Sequence, residues 1–165
     1  MLNYYKNITL LTGDFQVGKS TIIDKYLDFL TEHRISFGGI RTFTITENGC
    51  NNVYIIPASF RYKVNRYTDM DVLDYSSYPL TNLNLIGDKN KNNFDVNVFD
   101  TVGVDFLIND ITDKETIIID EIGFIENESI RYKKLLFDIF ENDTRKIIGV
   151  IRKENNHHIV RQELK

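Results

Sequence analysis

Apolar and polar residues change their period several times along the chain, and these changes predict strands that alternate with helices. The apolar, β-branched segments at residues 7–12, 116–119 and 146–151 predict strands that are buried on both faces of a sheet. Apolar side chains recur at helical spacing over residues 19–33 and again over residues 129–142, which predicts two amphipathic helices. This alternation indicates an α/β fold with a mostly parallel central sheet flanked by helices.

A β-hairpin is predicted directly after the first helix. Residues 40–46 alternate between apolar and polar types, residues 47–49 (E-N-G) supply turn chemistry, and residues 53–56 return as the second strand. Because each strand of the hairpin exposes alternate side chains, its pattern differs from that of the fully apolar strands.

The middle of the chain carries weaker signals. Residues 94–99 (F-D-V-N-V-F) alternate and predict a further strand, whereas the polar residues 87–93 predict a loop. Residues 58–82 show no clear period.

Length and charge limit the class of protein. The 165 residues, of which 42% are hydrophobic, are expected to form a single domain over residues 1–165. With 20 basic against 24 acidic residues, the chain lacks the excess positive charge that nucleic-acid binding requires. No apolar run is long enough to span a membrane, and no secretory signal precedes the first strand. We therefore expect a cytoplasmic protein.

Residues 13–20 (G-D-F-Q-V-G-K-S) match the phosphate-loop motif G-x-x-x-x-G-K-[ST] between a predicted strand and a predicted helix. Backbone N–H groups of such a loop converge on phosphate oxygens, and the helix dipole adds to the attraction. Lys19 would reach the β- and γ-phosphates, and the Ser20 hydroxyl would bind Mg²⁺. The predicted nucleotide contacts are Gly13, Asp14, Phe15, Gln16, Val17, Gly18, Lys19, Ser20 and Thr21.

Two carboxylates end the buried strand at residues 116–119. In open α/β sheets, ligands bind at the carboxyl ends of the strands. We expect Asp120 to bind Mg²⁺, and Glu121 to act as the general base or to position the attacking water.

Residues 100–103 (D-T-V-G) look like the D-x-x-G segment of a small GTPase, and Asn90-Lys91 looks like the start of N-K-x-D. Asn93 stands where the Asp of N-K-x-D should be, and the two segments occur in the reverse order. We therefore expect both segments to be loop residues and disfavour a guanine-specific switch protein.

The chain resembles the bacterial and archaeal nucleoside-triphosphatases related to the cancer-related nucleoside-triphosphatase. Three blocks carry the resemblance in the family's order: the phosphate loop at residues 13–21, residues 38–42 (G-G-I-R-T), and residues 118–126 (I-I-D-E-I-G-F-I-E). The second is similar to the family's G-G-F-x-T strand, and the third to its I-D-E-I-G-K-M-E. The chain departs from the family at Thr44, Thr46 and Phe124, and the family's final strand and helix are expected to be shortened or absent.

The resemblance implies a P-loop NTPase fold of the RecA-like group. It also implies slow, Mg²⁺-dependent hydrolysis of several nucleoside triphosphates, with ATP, GTP, CTP and UTP as expected substrates. The family's loop contacts correspond to Gly13, Gly18, Lys19, Ser20 and Thr21, and its acidic block to Asp120, Glu121 and Glu126.

Hydrolysis needs a further cation on the transition state, and the sequence leaves four candidates open: Arg41, Arg131, Arg145 and Arg152. Two alternatives to a hydrolase also stay open. A nucleotide or small-molecule kinase would share the loop and could build an acceptor pocket from residues 58–82. A nucleotide-dependent binding module would show little turnover.

Overall fold

The computed structural model describes residues 7–14, 17–47, 49–60, 84–88, 91, 93–123 and 128–152, without the side chains of Glu47 and Glu121. Within these residues, strands β1 to β7 are Ile8–Gly13, Phe37–Glu47, Cys50–Pro57, Asn84–Asp88, Asn93–Phe94, Thr116–Ile122 and Lys146–Arg152. Helices α1, α2 and α3 are Lys19–Glu32, Val104–Asn109 and Ile130–Asn142, and a π-helical turn at Phe99–Gly103 leads into α2. None of these helices is long and apolar enough to cross a membrane.

The described strands form a single sheet in the order β1-β7-β6-β2-β3-β4-β5. The first four of these strands are parallel to one another, which confirms the predicted parallel centre. The remaining pairs are antiparallel, beginning with the predicted hairpin of β2 and β3. The polar residues 87–93, predicted as a loop, instead include the end of β4 and the start of β5, which pair with each other.

Helices cover both faces of the parallel strands. On one face, α1 buries Ile23, Leu27 and Leu30 in a cluster with Ile118 and Ile148. The opposite face packs against α2 and α3, whose contributing residues are Val104, Leu107, Tyr132, Leu136, Ile139 and Phe140. Because β6 lies between both layers, its three consecutive isoleucines are fully buried.

The segment after β5 corrects the sequence prediction. The predicted strand at 94–99 ends at Phe94, and a helical segment begins at Asn97. The carboxylate of Asp95 accepts hydrogen bonds from the backbone N and the Nδ2 of Asn97, each at 3.0 Å, which turns the chain at this point. The apolar residues that follow then recur at helical rather than alternating spacing.

Arg145 and Asp143 form a pair at the edge of the sheet where the parallel strands begin. The guanidinium of Arg145 donates to Asp143 and to the carbonyl oxygens of Ile111, at 2.6 Å, and Lys114, at 3.1 Å. The hydrogen bond from Arg145 holds the pKa of the Asp143 carboxyl below its usual value, although partial burial opposes the shift. The same pairing raises the pKa of Arg145. These contacts link the start of β7 to the segment that precedes β6.

Candidate functional site

The phosphate-loop motif lies at the junction between β1 and α1, as predicted. Gly13 ends β1 and Lys19 begins α1. Gly18 precedes the helix with a φ of +91°, a backbone conformation that disfavours any residue with a side chain. Phe15 and Gln16, two of the predicted contacts, lie outside the described residues.

The side chain of Lys19 folds back over this loop. Its Nζ donates to the carbonyl oxygen of Gly13 at 2.9 Å and to that of Asp14 at 2.8 Å. The ammonium group is therefore held against the loop's own backbone. The loop thus carries a positive charge and leads into the N-terminus of α1, and both features attract anions.

The start of α1 has features that favour an anion. No side chain of the described residues caps the helix, and the first turn contains no acidic residue. The first four N–H groups of an α-helix have no partner within the helix. Ser20 is half-buried and Thr21 is exposed in this turn, so a phosphate placed here would meet N–H groups and two hydroxyls.

Asp120 lies near the same edge of the sheet, two strands away from the loop. It is 2% exposed, and its Cα pairs with Val150 of β7, which in turn pairs with Leu11 of β1. Because neighbouring strands are about 4.8 Å apart, the backbones of β6 and β1 are separated by roughly 10 Å. The order of the strands thus brings the carboxylate and the loop to one edge, as the sequence predicts.

The backbone is irregular immediately after Asp120. The register of β6 against β7 shifts between Asp120 and Ile122, so that Glu121 falls at the irregularity. Such bulges re-aim side chains and are frequent beside active sites. The side chain of Glu121 and all of Glu126 lie outside the described residues, so their roles stay predictions.

The donor chemistry at this edge fits Mg²⁺. Ser20 offers a hydroxyl oxygen and Asp120 a carboxylate oxygen, which are the hard ligands this ion prefers. Among the described residues no group of three or more His, Cys, Asp or Glu could hold a metal ion. That finding is compatible with Mg²⁺, because this ion usually keeps several waters and is shared with substrate phosphates.

Arg41 contacts carboxylates from two different elements. Its Nη2 lies 2.6 Å from Oδ1 of Asp24 on α1, and its Nε lies 3.6 Å from Oδ2 of Asp120. Sequence reasoning listed Arg41 among the transition-state cations but did not find this pairing. The sequence indicates that Arg41 is buried, because it shares one face of β2 with the apolar residues Phe43 and Ile45, but it does not identify the partners.

The other three candidate arginines lie in different places. Arg145 is at the opposite edge of the sheet, where it binds two backbone carbonyls. Arg131 is exposed on α3, which covers the face of the sheet opposite α1. Arg152 ends β7, and its Cα is in register with that of Gly13.

The D-x-x-G segment is helical, so the expectation of a loop is wrong. The carboxylate of Asp100 accepts from the backbone N of Arg131 at 2.9 Å and of Tyr132 at 3.0 Å, and so caps α3. A Cβ at Gly103 would lie 3.2 Å from the ring of Tyr132. The Asp and the Gly therefore serve packing between two helices. Lys91 of the other segment lies 3.7 Å from Asp88, and Asn90 lies outside the described residues.

Two solved structures are similar to the chain over most of its length. THEP1 from the hyperthermophile Aquifex aeolicus is 19% identical, with a TM-score of 0.58 over 91% of this chain and 79% of that chain. The human cancer-related nucleoside triphosphatase is 18% identical, with a TM-score of 0.59 over 93% and 79%. No curated protein matches in sequence.

At these identities the similarity establishes the fold, which is that of a P-loop NTPase, as the sequence predicts. A family model described as NTPase matches residues 8–165. The chain therefore belongs to this NTPase family. Membership gives its function in coarse terms: it binds nucleotide and is a nucleoside triphosphatase.

Proposed function

We propose that the protein hydrolyses nucleoside triphosphates to diphosphate and phosphate, with Mg²⁺ and with slow turnover. The observation that carries the proposal is the position of Lys19, whose ammonium lies against the loop at an uncapped helix N-terminus. The expected substrates are ATP, GTP, CTP and UTP. Backbone N–H groups of the loop and of the first turn of α1 would bind the phosphate oxygens.

Ser20 and Asp120 would hold Mg²⁺, which when bound would neutralise charge on the phosphates. Glu121 would orient a water molecule in line with the γ-phosphate, a role supported by its place after Asp120 at the irregular end of β6. We assign Glu126 to the acidic block on the resemblance alone.

Of the four arginines, we propose Arg152 as the cation that stabilises the transition state. Its support is the register with Gly13, which puts the two backbones one strand spacing apart. A guanidinium is long enough to reach from that position toward a phosphate bound in the loop. Arg145 lies at the opposite edge, Arg131 lies on the face of the sheet opposite α1, and Arg41 lies in the interior of the sheet.

Release of phosphate from each of the four nucleoside triphosphates tests the proposal, with Mg²⁺ and with excess chelator. We expect release from all four with Mg²⁺, with no acceptor added, and almost none with chelator. A kinase would release almost no phosphate without an acceptor. A binding module would show nucleotide-dependent protection from proteolysis without turnover. Either result would contradict hydrolysis as the function.

A further inference from the structure

Arg41 is a buried cation inside the sheet, next to a carboxylate that the proposed function uses. Its side chain is 11% exposed, and its Cα pairs in register with that of Asp120 across β2 and β6. A buried guanidinium is costly unless it is paired and hydrogen-bonded. The neighbouring carboxylates are therefore expected to account for the burial of Arg41.

Two carboxylates face Arg41 from different sides. Asp24, which is 40% exposed, accepts a hydrogen bond from Nη2 at 2.6 Å. The Asp120 side chain is 3% exposed and lies 3.6 Å from Nε, which is an ion-pair distance and too long for a hydrogen bond, and Nε has no hydrogen-bond partner among the described residues. Asp24 is on α1, the helix that Lys19 begins. Arg41 thus joins the helix that follows the phosphate loop to the strand that bears the proposed metal ligand.

We propose that Arg41 is a positioning residue, which holds the Asp120 carboxylate toward the metal of the bound nucleotide and fixes it relative to α1. This inference rests on the proposed function. A carboxylate at the end of a strand has a soft terminal torsion, and a fixed guanidinium limits its rotation. Partners of metal-binding carboxylates commonly change metal affinity by about 10–100-fold when they are removed.

This role requires the separate N–H donors that the planar guanidinium presents in fixed directions. Arginine can present Nε to one carboxylate and Nη2 to another, whereas the single ammonium of lysine is a point donor on a flexible chain. Arg41→Lys keeps the positive charge in the interior but loses the double contact. A role that needs only charge would survive this substitution, and a role in orientation would not.

Equilibrium binding of ATP by calorimetry, with Mg²⁺ and with excess chelator, measures how much the metal strengthens binding. The ratio of the ATP affinity with Mg²⁺ to the ATP affinity with chelator is the quantity of interest. For Arg41→Lys we expect this ratio to fall by about 10-fold or more. Binding with chelator should stay within about two-fold of the wild type, because the loop and Lys19 are unchanged. Arg145→Lys is the matched control, since it alters another arginine–aspartate pair at the opposite edge of the sheet.

Asp24→Asn is the second variant, and it tests the link to α1 if Arg41→Lys folds poorly by circular dichroism. Asp24 is partly exposed, and the carboxamide of asparagine keeps the shape of the carboxylate, so we expect a folded protein. The ratio of its ATP affinity with Mg²⁺ to that with chelator should be reduced by several-fold. In the double variant with Arg41→Lys, the two losses should not add, because both act on one contact.

The possible results separate the two proposals. A wild type that binds ATP equally with and without Mg²⁺ contradicts the proposed function. A wild type strengthened by Mg²⁺, with Arg41→Lys or Asp24→Asn matching Arg145→Lys, overturns the positioning role alone. An unchanged ratio combined with a large loss of kcat would also overturn it, because that result indicates a cation acting on the transition state.

Discussion

Gly39 on β2 and Ile118 on β6 pair so closely that a Cβ at Gly39 would lie 2.1 Å from the carbonyl oxygen of Ile118. The backbone at Gly39 has a φ of +126°, and its N–H donates to Asp110 at 2.9 Å. At the preceding Gly38, a Cβ would lie 1.8 Å from the carbonyl oxygen of Asp110. The G-G block that resembles the family's strand is therefore required for the close packing of β2 against β6 and against the segment that follows α2.

We expect Gly39→Ala to lower the free energy of unfolding by more than about 3 kcal/mol, because backbone atoms on both strands would have to move. Gly49→Ala is the control. Gly49 has a φ of +77° with nothing within 4 Å of an added Cβ, so only backbone strain of about 1–2 kcal/mol is expected. Urea denaturation measures both values, and equal losses would contradict the close contact between β2 and β6.

Lys19→Ala should weaken ATP binding by about 10–100-fold, because a charge-assisted contact to phosphate is worth roughly 1.5–3 kcal/mol. Among the described residues, Lys19 donates hydrogen bonds to carbonyl oxygens of the loop and to no other element, so the fold should be retained. Calorimetry measures the affinity. The exposed Lys134 on α3 provides the control, and Lys134→Ala should bind as the wild type does. Equal affinities for the two variants would remove Lys19 from the site.

Glu121→Gln should still bind Mg²⁺–ATP but hydrolyse it at least about 100-fold more slowly, because a carboxamide cannot accept a proton from water. Single-turnover release of phosphate measures the step. Glu141→Gln, at an exposed position near the end of α3, is the matched control and should leave the rate unchanged. Unimpaired hydrolysis by Glu121→Gln would disprove its assignment as base.

Arg152→Ala should reduce kcat by about 10³-fold or more and leave ATP affinity within a few-fold, as expected for a cation that acts on the transition state. Arg131→Ala alters an exposed arginine on the other side of the sheet and serves as control. Steady-state kinetics with direct binding data separate the two effects. If Arg152→Ala loses affinity and kcat is unchanged, the residue binds the ground state instead.

The ion pair of Asp143 with Arg145 should make stability depend on pH in the acid range. The pKa of Asp143 is lower in the folded protein than in the unfolded chain, where it is about 4. The ion pair therefore contributes to the free energy of unfolding above about pH 4. This contribution is lost as the pH falls through the lower pKa that Asp143 has in the folded protein. The difference in unfolding free energy between wild type and Asp143→Asn should be constant above about pH 5 and shrink toward pH 3. Urea titrations at several pH values measure the difference, and a constant difference down to pH 3 would refute the pairing.

Sequence periodicity was sufficient to predict the helices that bury one clear face and the apolar strands that are buried on both faces. The strands at 8–13, 116–122 and 146–152 and the helices at 19–32 and 130–142 all lie within a few residues of their predicted bounds. It failed after Phe94, because alternation over six residues can also be the start of a helix. Further downstream, the buried residues Phe99, Gly103, Leu107 and Ile111 recur every fourth position. A longer window would have favoured the helix.

The site was predicted unevenly for a physical reason. The phosphate loop is a local motif, so strand, glycines and lysine are all visible within residues 8–20. The pairing of Arg41 with Asp24 and Asp120 depends on which strands are neighbours and on which face α1 packs. Residue spacing carries no such information. The alternative in which residues 58–82 of a kinase build an acceptor pocket falls almost entirely outside the described residues.

The place of β7 between β1 and β6 has a consequence for synthesis on the ribosome. Ile8 pairs with Ile147, about 140 residues further along the chain, and contacts of such separation form slowly. Within the described part of the chain, β7 is also the sole strand neighbour of β1. A nascent chain that has emerged as far as β6 therefore holds the phosphate-loop sequence without the strand that supports it. Nucleotide binding can stabilise the fold only after β7 has emerged and paired with β1.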